Sequence, residues 1–207
     1  MKGRIIGCIL LAGLTIGWAQ EEVVVPEDST AQATLLQVGD LAPSWALMYA
    51  PGKFEYLRNW TIEKDGRLKR FTTQPERHVV IMSFFATWCK PCMKELPHLE
   101  NLYRKYQNEK VKFFLVDITE ATRTSPGFED APEAGPFLAE KGITMQVLND
   151  SRGVVKKNYG VATLPRLFVV DKYQTIRLMK QGFHEGEDFE GDLIRAIDEL
   201  LAEADKD

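Results

Sequence analysis

The chain has 207 residues, 44% of them hydrophobic, and carries 26 Lys and Arg against 30 Asp and Glu, a formal net charge of −4. That length and apolar content suit one domain with a sizeable core, and the acidic balance argues against a nucleic-acid-binding surface. Its three cysteines, Cys8, Cys89 and Cys92, are too few for a disulfide scaffold.

Lys2 and Arg4 precede an apolar stretch over residues 5–17 that runs into Gly17-Trp18-Ala19, a small-x-small cleavage pattern. Residues 1–19 therefore read as a secretory signal peptide, and the protein is expected in the periplasm or another extracytoplasmic space. The stretch is shorter than the roughly 20 residues of a membrane span, so a retained anchor is the weaker alternative. Cys8 does not read as a lipidation site, because the apolar core follows it. Cleavage would take Cys8, Lys2 and Arg4 with it, leaving 24 basic against 30 acidic residues and a single cysteine pair. Residues 20–37 are polar, acidic and small, the composition of a flexible linker. One domain is expected over residues 38–207.

Between residues 45 and 73, Phe54, Tyr56, Leu57, Trp60 and Ile62 alternate with polar residues. Asp65-Gly66 follows, then Leu68 and Phe71, and the pattern predicts a β-hairpin with a tight turn. Covering a sheet edge accounts for such a hairpin more simply than facing a substrate does.

Residues 78–85 are apolar and rich in β-branched and aromatic side chains, the pattern of a buried strand. From Pro91 onward, Leu96, Leu99, Leu102 and Tyr106 recur at helical spacing, and Pro97 is expected to kink that helix. Cys89 and Cys92 thus stand at a strand-to-helix junction. Cys89 lies just outside the first turn, where free backbone N–H groups and the helix dipole favour a thiolate, so it is the candidate nucleophile. Cys92, one turn on, can attack a mixed disulfide formed at Cys89, as thiol–disulfide exchange requires. Pro91 pre-sets φ in the first turn, and Lys90 adds a positive charge beside Cys89. Half of a zinc site gives the same cysteine spacing, but His78, His98 and His184 are scattered and do not form ligand pairs. A bridge closing so short a loop removes little unfolded-state entropy, so reactivity explains the pair better than stabilisation does.

Residues 111–116 predict a second buried strand, residues 119–132 a loop with Ser-Pro-Gly and Asp-Ala-Pro, and residues 133–141 a short helix ending at Gly142. A strand over 144–148, a short helix over 154–159 and strands over 166–170 and 175–180 follow. Residues 188–204 predict an amphipathic closing helix with Phe189, Leu193, Ile197 and Leu200 inward. Strands alternating with helices, then a strand pair and a last helix, give an α/β fold with a mixed central sheet.

Trp88-Cys89-Lys90-Pro91-Cys92 after a hydrophobic strand resembles the active site of thioredoxin-like proteins, more narrowly of the TlpA/ResA type. Gly39-Asp40-Leu41-Ala42-Pro43-Ser44-Trp45 is similar to that family's domain-opening motif. Glu95-Leu96-Pro97 is similar to its Glu-x-Pro, and Tyr159-Gly160-Val161-Ala162-Thr163-Leu164-Pro165 to its cis-proline loop. The four motifs, in order, cover most of residues 38–205. The resemblance implies a thioredoxin fold with a short helical insertion, and a cis bond before Pro165 where an ordinary loop proline would be trans. It implies substrate contacts from Trp88, Lys90, Pro91, Thr163, Leu164 and Pro165, with backbone groups of Leu164 pairing with an extended client. Ser83 occupies the position of the carboxylate that thioredoxins proper use as proton acceptor. Glu95, on the same helix face as Cys92, matches the glutamate of the ResA type and is the implied substitute; a solvated, lysine-paired glutamate is the alternative.

The function expected is an exported thiol–disulfide oxidoreductase acting as a reductant, with no cofactor beyond its own Cys89–Cys92 disulfide. By resemblance its clients are exported proteins with cysteine pairs, such as apocytochromes c during maturation, and its electrons come from a membrane thiol–disulfide donor. No nucleic acid and no oligomer are expected. A peroxiredoxin-like peroxidase shares the domain-opening motif, but Met82 and Ala86 stand where a peroxidatic cysteine is preceded by Pro and Thr or Ser. A copper-carrying role needs a third ligand beside Cys89 and Cys92 that the sequence does not identify.

Overall fold

The computed structural model describes residues 35–61 and 77–204. The predicted signal peptide and most of the predicted linker lie outside the described residues. Strands β1 (Ala46–Ala50) and β2 (Lys53–Tyr56) form an antiparallel hairpin, and Leu57–Asn59 follow as one turn of 3-10 helix. This corrects the predicted hairpin. Its turn is at Pro51-Gly52, where Gly52 has φ +70°, a conformation that side chains with a Cβ resist. The Asp65-Gly66 turn, with Ile62, Leu68 and Phe71, lies outside the described residues. Leu57 ends the alternation because it is fully buried, and its N–H donates to the Trp45 carbonyl at 3.2 Å.

Strand β3 (Val79–Phe85) has all seven residues buried, as an apolar run with no polar face requires. Helix α1 (Lys90–Tyr106) buries Leu96, Leu99, Leu102 and Tyr106 at the predicted spacing. Pro97 sits inside it and supplies no N–H to the turn before. Strand β4 (Val111–Asp117) is followed by α2 (Thr119–Thr122), a turn of helix where the sequence predicts only loop, and by α3 (Ala134–Glu140). Four residues are too few to show a helical period, which is why α2 is not legible in the pattern. After α3, Gly142 at φ +70° lets the chain turn back, and the Ile143 N–H reaches the Leu138 carbonyl at 3.1 Å. Strand β5 (Gln146–Asn149), helix α4 (Val154–Asn158), strands β6 (Arg166–Val170) and β7 (Ile176–Gln181) and helix α5 (Phe189–Ala202) complete the described chain. In α5, Phe189, Leu193, Ile197 and Leu200 are buried, as predicted.

Among the described residues the sheet order is β2-β1-β5-β4-β3-β6-β7. The centre is parallel: Val79 lies opposite Val111 and Phe85 opposite Asp117, while β5 extends the parallel set beyond β4. Strand β6 runs antiparallel to β3, and β7 antiparallel to β6. The hairpin joins β5 and so covers an edge of the sheet, the role its composition suggested. On one side α1 and α5 meet: the Tyr106 hydroxyl donates to Asp198 at 2.7 Å, and His98 pairs with Glu190 at 2.7 Å. The domain-opening motif lies along the start of β7, where Ala42 N–H donates to the Gln174 carbonyl at 2.7 Å. Tyr159 ties that motif to the cis-proline loop by donating its hydroxyl hydrogen to the Pro43 carbonyl at 2.8 Å. This mixed sheet with flanking helices is the expected thioredoxin arrangement.

Candidate active site

Strand β3 is central and parallel to β4, so the chain leaving Phe85 emerges at the carboxyl end of the sheet, where open α/β folds hold their sites. Cys89 is the N-cap of α1, and its Sγ accepts the Cys92 N–H at 3.2 Å. That donor belongs to the first turn, whose N–H groups have no carbonyl four residues back. No acidic side chain stands in the first turn to compete with a charge on sulfur.

Cys89 and Cys92 are joined by a disulfide, with Cα atoms 5.3 Å apart. Their access differs. Cys89, itself 3% exposed, lines a groove of about 460 Å³, whereas Cys92 is 0% exposed and does not line it. Trp88, Lys90, Pro91, Thr163 and Leu164 line the same groove, so residues some 70 positions apart in sequence share one surface. Pro165 is buried beneath that surface, and the Leu164–Pro165 bond is cis.

Glu95 is not the solvated glutamate that a helix surface would offer. It is 1% exposed, and the Ser83 hydroxyl on β3 donates to its Oε2 at 2.7 Å, while Oε1 has no hydrogen-bond partner among the described residues. Burial pushes its pKa up from 4.5 to about 7, with the Ser83 hydrogen bond pulling the other way. The helical spacing of three residues puts this carboxyl on the same face of α1 as Cys92. A group near pH 7 can both take and return a proton under ordinary conditions.

Residues that the sequence did not single out hold the front of the site. The Trp88 ring stacks on Phe128, centroids 4.1 Å apart and planes 20° from parallel, and its Nε1–H donates to Thr122 Oγ1 at 2.8 Å. Thr87 N–H donates to Thr119 Oγ1 at 3.0 Å, and the Thr87 hydroxyl donates to the Pro132 carbonyl at 2.9 Å. Asp117 anchors this brace: its Oδ1 accepts from both the N–H and the hydroxyl of Thr119. Burial raises its pKa, and those hydrogen bonds oppose the rise. The loop after β4 therefore grips the segment before Cys89. A lone Phe128 in a polar loop was the available signal.

The chain's similarity to known proteins agrees with this geometry. Residues 38–179 match the AhpC/TSA family. The chain belongs to the AhpC/TSA family. Within it, the chain is 28% identical over 157 residues to the thiol-disulfide oxidoreductase ResA of Geobacillus thermodenitrificans, covering 76% of each chain. It is also 28% identical over 102 residues to the sporulation thiol-disulfide oxidoreductase A of Bacillus subtilis, 49% of this chain and 58% of that one. Among solved structures, a thiol:disulfide interchange protein DsbE of Chlorobium tepidum superposes with a TM-score of 0.60 at 25% identity, over 78% of this chain and 99% of that one. This member of the AhpC/TSA family is thus a thiol–disulfide oxidoreductase of the thioredoxin fold, similar to ResA and to the sporulation thiol-disulfide oxidoreductase A.

Proposed function

We propose that the protein is exported and acts as a reductant, passing two electrons from the Cys89–Cys92 dithiol to disulfides of exported client proteins. The observation that carries this reading is the placement of the disulfide: Cys89, 3% exposed, lines the groove, and Cys92, fully buried, does not. In the dithiol form the Cys89 thiolate attacks a client disulfide, forms a mixed disulfide and releases one client thiolate. Cys92 then attacks Cys89 Sγ, the mixed disulfide breaks, and the second client thiolate leaves as the Cys89–Cys92 bond closes. Glu95 takes the Cys92 proton and gives it to the departing thiolate, a relay that its pKa of about 7 supports. The groove formed by Trp88, Lys90, Pro91, Thr163 and Leu164 receives the client as an extended segment, with Pro165 beneath.

The AhpC/TSA family match also admits a peroxidase. Two observations favour exchange: Ala86 supplies no hydroxyl before Cys89, and the partner sulfur is three residues away in the same helix. Among the described residues no group of three His, Cys, Asp or Glu side chains could hold a metal ion, so copper carriage gains no support. Export rests on the pattern of residues 1–19. Apocytochrome c cysteine pairs are the client class, and a membrane thiol–disulfide protein the electron donor, that the ResA-type resemblance supplies.

The purified protein is expected to reduce insulin in the presence of dithiothreitol. Cys89→Ala abolishes the reaction, and Cys92→Ala accumulates mixed disulfides, seen by mass spectrometry. Equal activity in the wild type and both variants would sink the redox assignment.

A further inference from the structure

Lys156 on α4 lines the active-site groove and also an adjoining hollow of about 410 Å³, whose wall carries Arg152 and Lys157. Ala162, from the cis-proline loop, borders both. Lys90, next to Cys89 in the chain, lines the active-site groove as well. Four cations thus line one continuous surface, and no carboxylate lines either hollow.

Several other cations are paired, among them Lys94 with Glu185, Arg123 with Glu120, Arg177 with Asp171 and Glu203, and Lys180 with Asp192. Lys90, Arg152, Lys156 and Lys157 make no ion pair among the described residues. The carboxylate of the same loop, Asp150, is buried at 3% exposure and accepts the Lys156 backbone N–H at 2.7 Å, so it is engaged in holding α4. On a chain of net charge −4, such a cluster beside the reactive sulfur is a local positive field of the kind that steers oppositely charged partners.

We propose that this surface recognises acidic residues flanking the target cysteine of the client polypeptide, laid along the groove from Lys90 past Ala162 to Arg152 and Lys157. The proposal rests on the exchange activity and names the chemistry of the substrate that activity prefers. An acidic flank would bring the client cysteine to Cys89 by electrostatic steering, which acts mainly on the association rate and fades with salt.

The test uses the reduced protein and three disulfide-bridged peptides of one sequence, flanked by Glu, Gln or Lys. Second-order rates are followed by tryptophan fluorescence at about 10 mM and about 1 M salt, where the screening length falls from about 30 to about 3 Å. The Glu peptide is expected to react about fivefold or more faster than the Gln peptide at low salt, the Lys peptide slowest, with the differences collapsing at high salt. Arg152→Gln with Lys157→Gln should remove most of the Glu preference and leave the Gln-peptide rate unchanged, while Arg152→Lys with Lys157→Arg retains it. Equal rates for the three peptides, or a preference that survives in the double Gln variant, would overturn the acidic-client proposal and leave exchange activity standing. Failure to reduce any peptide would overturn the exchange reading itself.

Discussion

Replacing Glu95 by Gln tests the buried carboxyl through stability as well as rate. In the unfolded chain this group titrates near 4.5, and in the fold at about 7. Below pH 4.5 both states hold the proton and the raised pKa contributes its full stability. As pH rises toward 7 the unfolded chain releases the proton while the fold retains it, and above 7 the contribution is gone. Each tenfold difference in proton affinity between fold and unfolded chain corresponds to about 1.4 kcal/mol, so wild-type protein should lose about 2–3 kcal/mol of unfolding free energy between pH 5 and pH 8.5 from this group alone. The 1% exposure of Glu95 leaves little solvent to screen the effect. Glu95→Gln cannot titrate and places a buried amide N–H where Oε1 already lacks a partner, so it should be less stable at pH 5 by about 1–3 kcal/mol. The difference between the two proteins should shrink or reverse by pH 8.5. Urea unfolding of the oxidised proteins at the two pH values measures this, and subtracting the variant isolates the contribution of Glu95. Parallel stability profiles for wild type and variant would refute the raised pKa. In the reduced protein the same variant should slow client reduction by about tenfold or more if the carboxyl relays the Cys92 proton. An unchanged rate would leave Glu95 a structural residue.

Ser83→Ala removes the hydrogen bond that holds the Glu95 pKa down, so the midpoint of that stability change should move above 7; a midpoint at or below 7 would contradict the assigned contact. Phe128→Ala removes the ring stacked on Trp88 and should cost about 1–2 kcal/mol of stability while shifting Trp88 emission to the red, read as a difference spectrum. An unchanged spectrum would mean that the stack does not shield the indole in solution.

The parts of this protein legible in its sequence are those governed by interactions within a few residues. Residues Val79–Phe85 have no polar face, so they had to form an interior strand, and they do. Cys89 before Lys90-Pro91-Cys92 carries its own helix start, because an N-cap acts within one turn. The same locality made Gly142 and the inward face of α5 predictable. Other features depend on which segments become neighbours. Glu95 reads as an ordinary helix glutamate until β3 places the Ser83 hydroxyl 2.7 Å away and the core closes over both. Phe128 reads as a loop aromatic until Trp88 stacks on it. The hairpin turns at Pro51-Gly52, where β1 can pair with both β2 and β5. Lys90 and Lys156 come to one groove only because α4 and the Ala162–Leu164 segment fold beside the start of α1. Local patterns choose the elements, since hydrogen bonding and capping are short-ranged. Burial raises the Glu95 pKa and clustering builds the positive field, and both arise from distances between segments that sequence spacing does not encode.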